Sequence, residues 1–284
     1  TNDNFFHFLS FWLALIIKFL QRYFYGTTFQ RVCVNFIVFM VADIHFLLLF
    51  CTENGIYMYI FIIILLLLAF LVWSAADISS GIYVKTFCGI KNCDEKVVSL
   101  TFDDGPESGT TEKVLEILKR YDAKATFFCI GKKIEPNSEV FKQIITFGHT
   151  LGNHSFRHND NFSLLLPSRM REEIEQCQAE IKKYAGYEPR FFRPPLGVTN
   201  PMLAIALRKF KFDVIGWNVR PFDTSAKDAE EVSRRVISKI KPGAVVLLHD
   251  RMPHTPKALE TILEWLYANG YRVVPLEQMM SRLK

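Results

Sequence analysis

From residue 97 onward, apolar strand-like runs alternate with amphipathic helix-like runs, and this alternation limits the possible folds more than any other feature of the sequence. Seven strands are predicted, at 97–102, 124–130, 149–153, 190–193, 213–217, 244–249 and 271–275. Helices are predicted between them, at 110–121, 138–147, 168–185, 200–210, 226–240 and 256–268. Several strand runs are almost wholly apolar, as in parallel strands buried on both faces. The alternation therefore predicts an α/β sheet or barrel.

The segment before this alternation has a different composition. Residues 1–84 contain only three basic and four acidic side chains, and the run 56–73 has no charge. That run is long enough to cross a bilayer as a helix. Residues 5–17 are a shorter candidate, and residues 32–50 are interrupted by Asp43, which is costly inside a membrane. We predict that residues 1–84 form a hydrophobic anchor region with one or more transmembrane helices.

The sequence begins with Thr1, and this leaves two interpretations of its first part. The chain could be a fragment, or Met58 could be the true start, in which case residues 1–57 are spurious. The run from Met58 would then be a single anchor or signal, with small residues at 74–76 as a possible cleavage site. On either interpretation, we expect residues 1–57 to contribute nothing to catalysis.

The net charge bears on the kind of partner, and the cysteines bear on whether disulfides form. A net charge of +5 is too small to indicate nucleic acid, although it would suit an anionic envelope polymer. Cys129 and Cys177 lie in strand-like and helix-like runs and are expected to be buried and inert. Cys88 and Cys93 follow the apolar run, so they either pair in an oxidising compartment or remain free.

Asp103 and Asp104 stand side by side at the end of the first predicted strand. Adjacent carboxylates repel each other, and neither is easily buried without a partner. A surface turn would explain them, because Asp-Gly and Gly-Pro are common turn dipeptides. A metal site would explain them as well, since a cation relieves the repulsion.

Other polar residues follow strands of the same sheet, where the carboxyl ends of parallel strands meet. His154 and His158 in "HSFRH" are four residues apart, a spacing that places two imidazoles on one side of a helix or tight turn. Two surface histidines would give the same pattern. With Asp104 they would form an Asp-His-His set, which suits Zn²⁺ or Co²⁺ better than Ca²⁺.

The motifs "TFDDGP", "HSFRH", "RPPLG" and "LLHD", in this order, resemble the polysaccharide deacetylases of carbohydrate esterase family 4, the NodB-homology domain. The resemblance covers roughly residues 95–278, and the motifs are specific together because they follow predicted strands in order. It implies a distorted (β/α) barrel of about seven strands. It also implies removal of N- or O-acetyl groups from sugar polymers with the help of a divalent metal.

The resemblance also implies roles for the polar residues at the strand ends. Asp103 corresponds to the general base and Asp104 to a metal ligand. His154 and His158 correspond to the other two ligands. Arg193 corresponds to the group that orients Asp103 and keeps it ionised.

Further roles follow from the last two motifs. Pro194 and Pro195 would stiffen a loop that lines the substrate groove, and the backbone N–H of Leu196 would be an oxyanion donor. His249 corresponds to the general acid. Leu248 corresponds to part of the pocket for the acetyl methyl group.

One stretch departs from the family pattern Trp-x-x-Asp-x-x-Asp-Trp. Here the sequence reads "WNVRPFDTSA", so that Trp217, a groove residue, is retained and Arg220 replaces the first aspartate. Asp223 remains where the family has the aspartate that orients the acid histidine, and Thr224 replaces the second tryptophan. Leu196 stands where a tyrosine is common. A reduced aromatic wall leaves the identity of the acyl sugar open.

These observations predict a metal-dependent deacetylase of a cell-envelope glycan such as peptidoglycan or a chitin-like oligosaccharide, with Zn²⁺ the expected ion and Co²⁺ an alternative. The catalytic domain is expected outside the cytoplasm, anchored through the apolar helix, with the acetylated glycan as its partner and no nucleic acid or protein partner. Two alternatives stay open: a catalytically silent domain that binds envelope glycan, and a hydrolase of another non-peptide C–N bond.

Overall fold

A computed structural model describes residues 55–281, with side chains from residue 59 onward. The candidate spans at 5–17 and 32–50 lie outside these residues, as do Cys33 and Cys51. The chain divides into two compact units, with the division between Leu71 and Val72.

Helix α1 (Gly55–Ala76) opens the described part of the chain. Its segment Tyr59–Ala76 has a mean hydropathy of 2.7, and only 6% of that segment is buried. Within residues 55–281 it is the one helix long and apolar enough to cross a membrane. A signal sequence passes the same test of length and composition, so this apolar helix fits the role of a membrane anchor or that of a signal sequence.

An α/β domain follows from Val72 onward. Its strands are β1 (Thr86–Phe87), β2 (Val97–Asp103), β3 (Thr126–Cys129), β4 (Thr150–Asn153), β5 (Phe191–Phe192), β6 (Asp213–Ile215), β7 (Ala244–His249) and β8 (Arg272–Val273). Its helices are α2 (Thr111–Arg120), α3 (Gly131–Ile134), α4 (Ser138–Thr146), α5 (Pro167–Ala185), α6 (Pro201–Leu207), α7 (Ala229–Ile237), α8 (Thr255–Ala268) and α9 (Leu276–Ser281). Each predicted strand and helix is present, with bounds that differ by a few residues.

The strands form one parallel sheet in the order β1-β6-β5-β4-β3-β2-β7, and β8 pairs with the start of β2. The described sheet thus has eight strands rather than about seven, since the two-residue strand β1 was not predicted. The edge strands β1 and β7 share no ladder within residues 55–281, but isolated bridges join Gly89 to Ala244 and Val219 to Val246. The expected barrel is therefore present as a curled parallel sheet with helices, whose β7 edge is connected to the segments that follow β1 and β6.

Burial explains why these runs form strands and helices. All seven residues of β2 are buried, because one face of the strand packs against helices and the other faces a second buried cluster that includes Val97 and side chains of neighbouring strands. The largest cluster of buried side chains joins Leu100 and Phe102 of β2 to helices such as α2 and α8. In the register of the sheet, Asp103 lies beside Phe128 of β3 and His249 of β7, so the carboxyl ends of neighbouring strands meet at one edge.

Residues 72–84, which the sequence placed in the hydrophobic region, pack with the α/β domain. The backbone N–H of Thr199 donates to the carbonyl of Ala75 at 2.9 Å, and the Ser74 hydroxyl lies 3.0 Å from that of Tyr83. Ile78 is buried. The last turn of α1 is therefore held to the loop that precedes α6.

The four described cysteines are free. Cys129 and Cys177 are buried, as predicted. Cys88 and Cys93 are half-buried and unpaired, so of the two alternatives the structure has the free thiols.

Candidate functional site

The site begins at the turn that ends β2. Asp104 has a left-handed backbone (φ 75°), which is uncommon and strained for a residue other than glycine. It is followed by Gly105, where a Cβ atom would overlap the Asp250 carboxylate. Asp250 accepts a hydrogen bond from the Thr111 hydroxyl at 2.7 Å. This buried support fixes the direction in which the two adjacent aspartates point.

Asp104, His154 and His158 form a cluster that could hold a metal ion, with their ligand atoms all within 4.8 Å of one another. Nε2 of His154 lies 3.6 Å, and Nε2 of His158 lies 3.5 Å, from Oδ1 of Asp104. Two donors bound to a tetrahedral zinc ion lie about 3.4 Å apart. Oδ1 is buried and has no hydrogen-bond partner among the described residues, as expected for an atom that ligates a cation.

The protonation of the three residues also suits a cation. Burial lowers the pKa of His154 and of His158 to about 4, so both imidazoles are neutral at pH 7 and each has a lone pair available. Nδ1 of His154 is 2.8 Å from the carbonyl of Arg193, which leaves Nε2 as the ligand atom. Although burial raises the pKa of Asp104, the nearby His249, His158 and His154 hold it well below its usual range.

Asp103 is paired with a guanidinium that is fully buried. Nη1 of Arg193 donates to Oδ1 of Asp103 at 2.6 Å and to the Thr101 hydroxyl at 2.9 Å. Its other nitrogens donate to the carbonyls of Ile215 and Gly216. Oδ2 of Asp103 accepts no hydrogen bond from the described residues and lies 3.7 Å from Nε2 of His154. Burial outweighs Arg193 and raises the pKa of Asp103, which makes its carboxylate a stronger base.

His249 is the last residue of β7 and also lies near Asp104. Its Nδ1 is 2.9 Å from Oδ1 of Asp223, and its backbone N–H donates to Oδ2 of the same carboxylate at 2.7 Å. Its Nε2 is 4.0 Å from Oδ2 of Asp104. Burial lowers the pKa of His249, but Asp223 outweighs it and raises the value to about 9. The imidazole is therefore protonated at neutral pH and presents an acidic N–H.

The "RPPLG" loop follows β5 and borders this cluster. Its turn is closed by the N–H of Gly197, which donates to the carbonyl of Pro194, and by the N–H of Val198, which donates to that of Pro195. Leu196 is left-handed (φ 60°), and its N–H takes no part in these two bonds. A Cβ at Gly197 would overlap Trp217, so the indole packs directly against the loop.

Leu248 does not face the site, and its assignment to the acetyl pocket is corrected. It is fully buried in the main core cluster, where it lies beside Phe102 in the register of β2 and β7. Successive side chains of a strand point to opposite faces, so Leu248 faces away from His249. Leu247, two residues before His249, shares the face of the histidine and is the better candidate for this pocket.

Two residues of the site were not predicted. Asp250 is fully buried, with Oδ1 unpartnered among the described residues, and burial raises its pKa to about 7. Its place directly after His249 was the one indication of this role in the sequence. Nε of Arg251 donates to Oδ2 of Asp104 at 2.8 Å, an ion pair across 147 residues that no local pattern indicates.

Arg220, which departs from the family pattern, lies beside aromatic rings. Its guanidinium carbon is 5.4 Å from the ring centroid of Trp217 and 4.7 Å from that of Phe222. Phe222 is itself left-handed (φ 56°), and its carbonyl accepts a hydrogen bond from Arg235. The arginine is therefore part of a fixed loop next to the orienting residue Asp223.

Comparison with known proteins identifies the family. The family model for polysaccharide deacetylase matches residues 90–215. A peptidoglycan-N-acetylglucosamine deacetylase of Bacillus cereus is 33% identical over 71% of this chain and 74% of its own length. The chain belongs to the polysaccharide deacetylase family. This membership bears out the resemblance of the four motifs and places the protein in a family of hydrolases that act on glycans.

Solved structures of this family support the fold. The peptidoglycan deacetylase PdaC of Bacillus subtilis aligns with a TM-score of 0.63 at 32% identity, covering 66% of this chain and 91% of that structure. A family 4 pseudoenzyme of Bacillus anthracis aligns with a TM-score of 0.62 at 30% identity, covering 66% of each chain. The present chain spans only 39% of the full length of PdaC, a peptidoglycan-N-acetylmuramic acid deacetylase.

Proposed function

We propose that this protein is a cation-dependent deacetylase that removes N-acetyl groups from peptidoglycan, or O-acetyl groups from a related glycan. The observation that carries the proposal is the unpartnered Oδ1 of Asp104, with two neutral imidazoles 3.5 and 3.6 Å away. A base and an acid stand beside this cluster, so each role that amide hydrolysis requires is filled. The relatives named as peptidoglycan deacetylases supply the substrate class.

Asp104, His154 and His158 would hold the cation, for which Zn²⁺ is our first choice and Co²⁺ the second. A mixed set of one carboxylate and two imidazoles suits these ions. Such an ion, when bound, polarises the acyl carbonyl and lowers the pKa of water. The neutral state of both histidines leaves their lone pairs available for the ion.

Asp103 would act as the general base. Its Oδ1 is fixed by Arg193, so Oδ2 is the oxygen that would accept a proton from the attacking water. The four hydrogen bonds of Arg193 hold the pair rigidly, which keeps Oδ2 in place during the reaction. The N–H of Leu196 would donate to the oxyanion as it develops on the substrate.

His249 would protonate the leaving amine from Nε2, with Asp223 holding the proton on Nδ1. Pro194 and Pro195 would stiffen the loop that lines the groove, and Trp217 would form part of its wall. Leu247 takes the place of Leu248 beside the acetyl methyl group. These assignments make residues 95–278 the catalytic domain.

Replacing Asp223 with asparagine should move the alkaline limb of the pH–rate profile. An acid whose pKa is raised to about 9 is protonated below that pH and is lost as the pH rises through it. Without the carboxylate, burial lowers the pKa of His249, so we expect the alkaline limb to move down by at least about one pH unit. The measurement is kcat against pH from 5 to 10, and an unchanged limb in the variant would remove His249 from the acid role.

The proposed setting is the outer side of a membrane, with α1 as the anchor. The family relatives are named for peptidoglycan, which lies outside the cytoplasmic membrane, and α1 directly precedes the domain. A net charge of +5 suits an anionic polymer. A signal role for α1 would give the same location without the anchor.

A second candidate is a silent domain that binds glycan without cleaving it. The family includes the pseudoenzyme of Bacillus anthracis, whose structure is similar to this one. The filled base, ligand and acid positions favour catalysis here. Hydrolysis of another non-peptide C–N bond, such as that of a formyl group, would use the same residues.

The experiment is a measurement of acetate released by the purified full chain from peptidoglycan, acetylated chitooligosaccharides and acetylxylan. We expect release from peptidoglycan, and Asp104→Ala serves as the matched inactive control. Binding to peptidoglycan without release of acetate from any substrate would favour the silent domain. Release of formate from formylated glycan alone would indicate the other C–N hydrolase.

A further inference from the structure

Five apolar side chains are exposed on the α/β domain close to the last turn of α1. They are between 42% and 70% exposed, and they come from three separate segments of the chain. We call them the Leu166 patch: Ile82, Leu164, Leu166, Met202 and Ile205. Single exposed apolar residues are common on soluble proteins, so the question is whether these five belong to one surface.

Hydrogen bonds join two of the segments to each other and to the last turn of α1, and Tyr83, the residue after Ile82, is bonded to the same turn through Ser74. The N–H of Thr199 donates to the carbonyl of Ala75 at 2.9 Å, which joins the segment before α6 to the last turn of α1. Nδ2 of Asn200 donates to the carbonyl of Ser163 at 2.6 Å, which joins the start of α6 to the loop that carries Leu164 and Leu166. Phe162 and Leu203 are buried in the same small cluster beneath these segments.

The adjoining turn of α1 has the composition of a membrane–water boundary. The apolar run ends at Trp73, and Tyr83 lies within hydrogen-bond distance of Ser74. Tryptophan and tyrosine are enriched where a membrane helix leaves the hydrocarbon region. If α1 spans a bilayer, the segment bonded to Ala75 stands at the level of the lipid headgroups.

Basic side chains border the patch. Met202 and Ile205 on α6 are three residues apart and are followed at the same helical spacing by Arg208, so the exposed stripe passes from apolar to basic. Within residues 55–281, Arg208 and Lys211 form no ion pair, and both are exposed. A basic residue near an anionic bilayer contributes about 1 kcal/mol, or about fivefold in binding.

We propose that the Leu166 patch rests in the headgroup region of an anionic bilayer and seats the catalytic domain on the membrane that α1 spans. The inference rests on the anchor role proposed for α1. Exposed leucine, isoleucine and methionine beside basic residues are the composition of surfaces that bind membranes at the interface. The hydrogen bonds that Thr199 donates to Ala75 and Asn200 donates to Ser163 connect the patch to the end of α1, so that a bilayer spanned by α1 would lie next to the patch.

The test uses the full chain in vesicles of phosphatidylethanolamine and phosphatidylglycerol. The photoreactive residue p-benzoylphenylalanine is placed at one position in each sample, and lipid adducts are quantified by mass spectrometry after illumination. Positions 164, 166, 202 and 205 probe the patch. Position 66 in α1 is the control for membrane insertion, and position 267 on α8 replaces an exposed tyrosine remote from α6 in the chain.

We expect lipid adducts at the patch positions and at 66, with none at 267. Patch adducts should fall severalfold in vesicles without anionic lipid, whereas those at 66 should not change. Adducts at 66 without any at the patch, or patch adducts to a second copy of the chain, would overturn the proposal. An absence of lipid adducts at position 66 would show that α1 does not insert into the bilayer, and would overturn both the anchor role and this inference.

Acetate release from a soluble oligosaccharide is measured in the same preparations. Lipid adducts at the patch in a preparation that releases no acetate would support the surface and count against the deacetylase activity. The failures of the two proposals are therefore distinguishable.

Discussion

Asp103→Asn is expected to lower kcat for acetate release by about two to four orders of magnitude while the protein keeps its metal. Asparagine has nearly the same size and can still accept the hydrogen bond from Arg193, but it cannot take a proton from water. Asp103 is not among the three residues whose ligand atoms cluster. The measurement is kcat together with the metal content of the same sample.

A control must separate this loss from a loss of folding. Removing the charge of Asp103 leaves Arg193 buried without its carboxylate, which costs about 3–5 kcal/mol of stability. Thermal unfolding therefore establishes the temperature at which the variant is fully folded, and kcat is compared there. Asp213→Asn, which breaks a surface pair with Arg190, is the matched carboxylate control and should keep full activity. Near wild-type kcat in Asp103→Asn would place the base elsewhere.

His158→Ala should lower the affinity for the divalent cation by at least about a hundredfold. Loss of a residue that only orients a ligand costs 10- to 100-fold in affinity, so loss of a ligand costs at least as much. Nε2 of His158 is 3.5 Å from Oδ1 of Asp104, and no other described imidazole besides His154 lies as close to that oxygen. Isothermal titration with Zn²⁺ measures the change.

His149→Gln is the matched histidine control for this titration. His149 is also buried, but its Nδ1 accepts a hydrogen bond from the N–H of Ala125 at the start of β3, away from the carboxyl ends of the strands. Glutamine can retain that acceptor. Equal affinity for Zn²⁺ in His158→Ala and the wild type would show that the ion binds at another set of residues.

Much of this fold is predictable from the sequence because buried parallel strands form long apolar runs. Strand β1, formed by Thr86 and Phe87, was missed because it is defined by its pairing with β6 rather than by its own pattern. The contacts that join the two edges of the sheet, such as the bridge between Gly89 and Ala244, could likewise not be predicted from local patterns, because they connect distant parts of the chain. The other seven strands were predicted because each falls in a strand-like run of at least four residues, although β5 and β8 themselves have only two residues.

In the candidate site, too, some residues could be predicted from local patterns and others depend on contacts between distant parts of the chain. His154 could be proposed from its spacing and its place after a strand, and His249 from the resemblance of its motif; the structure brings both close to Asp104. Leu248 was assigned to the wrong face because "VVLLH" is apolar throughout and hides the alternation of the strand, although the phase of His249 favours Leu247. The supports from Thr111 and Arg251 join distant parts of the chain, and no local pattern indicates them.

The central claim is that a divalent cation at Asp104, His154 and His158 is required for glycan deacetylation. The most direct test measures acetate release from peptidoglycan by protein stripped with a chelator and then reloaded with one equivalent of Zn²⁺ or Co²⁺. We predict no release by the stripped protein and recovery on reloading, with no recovery in His158→Ala. Undiminished release by the stripped, folded protein in excess chelator would contradict the claim.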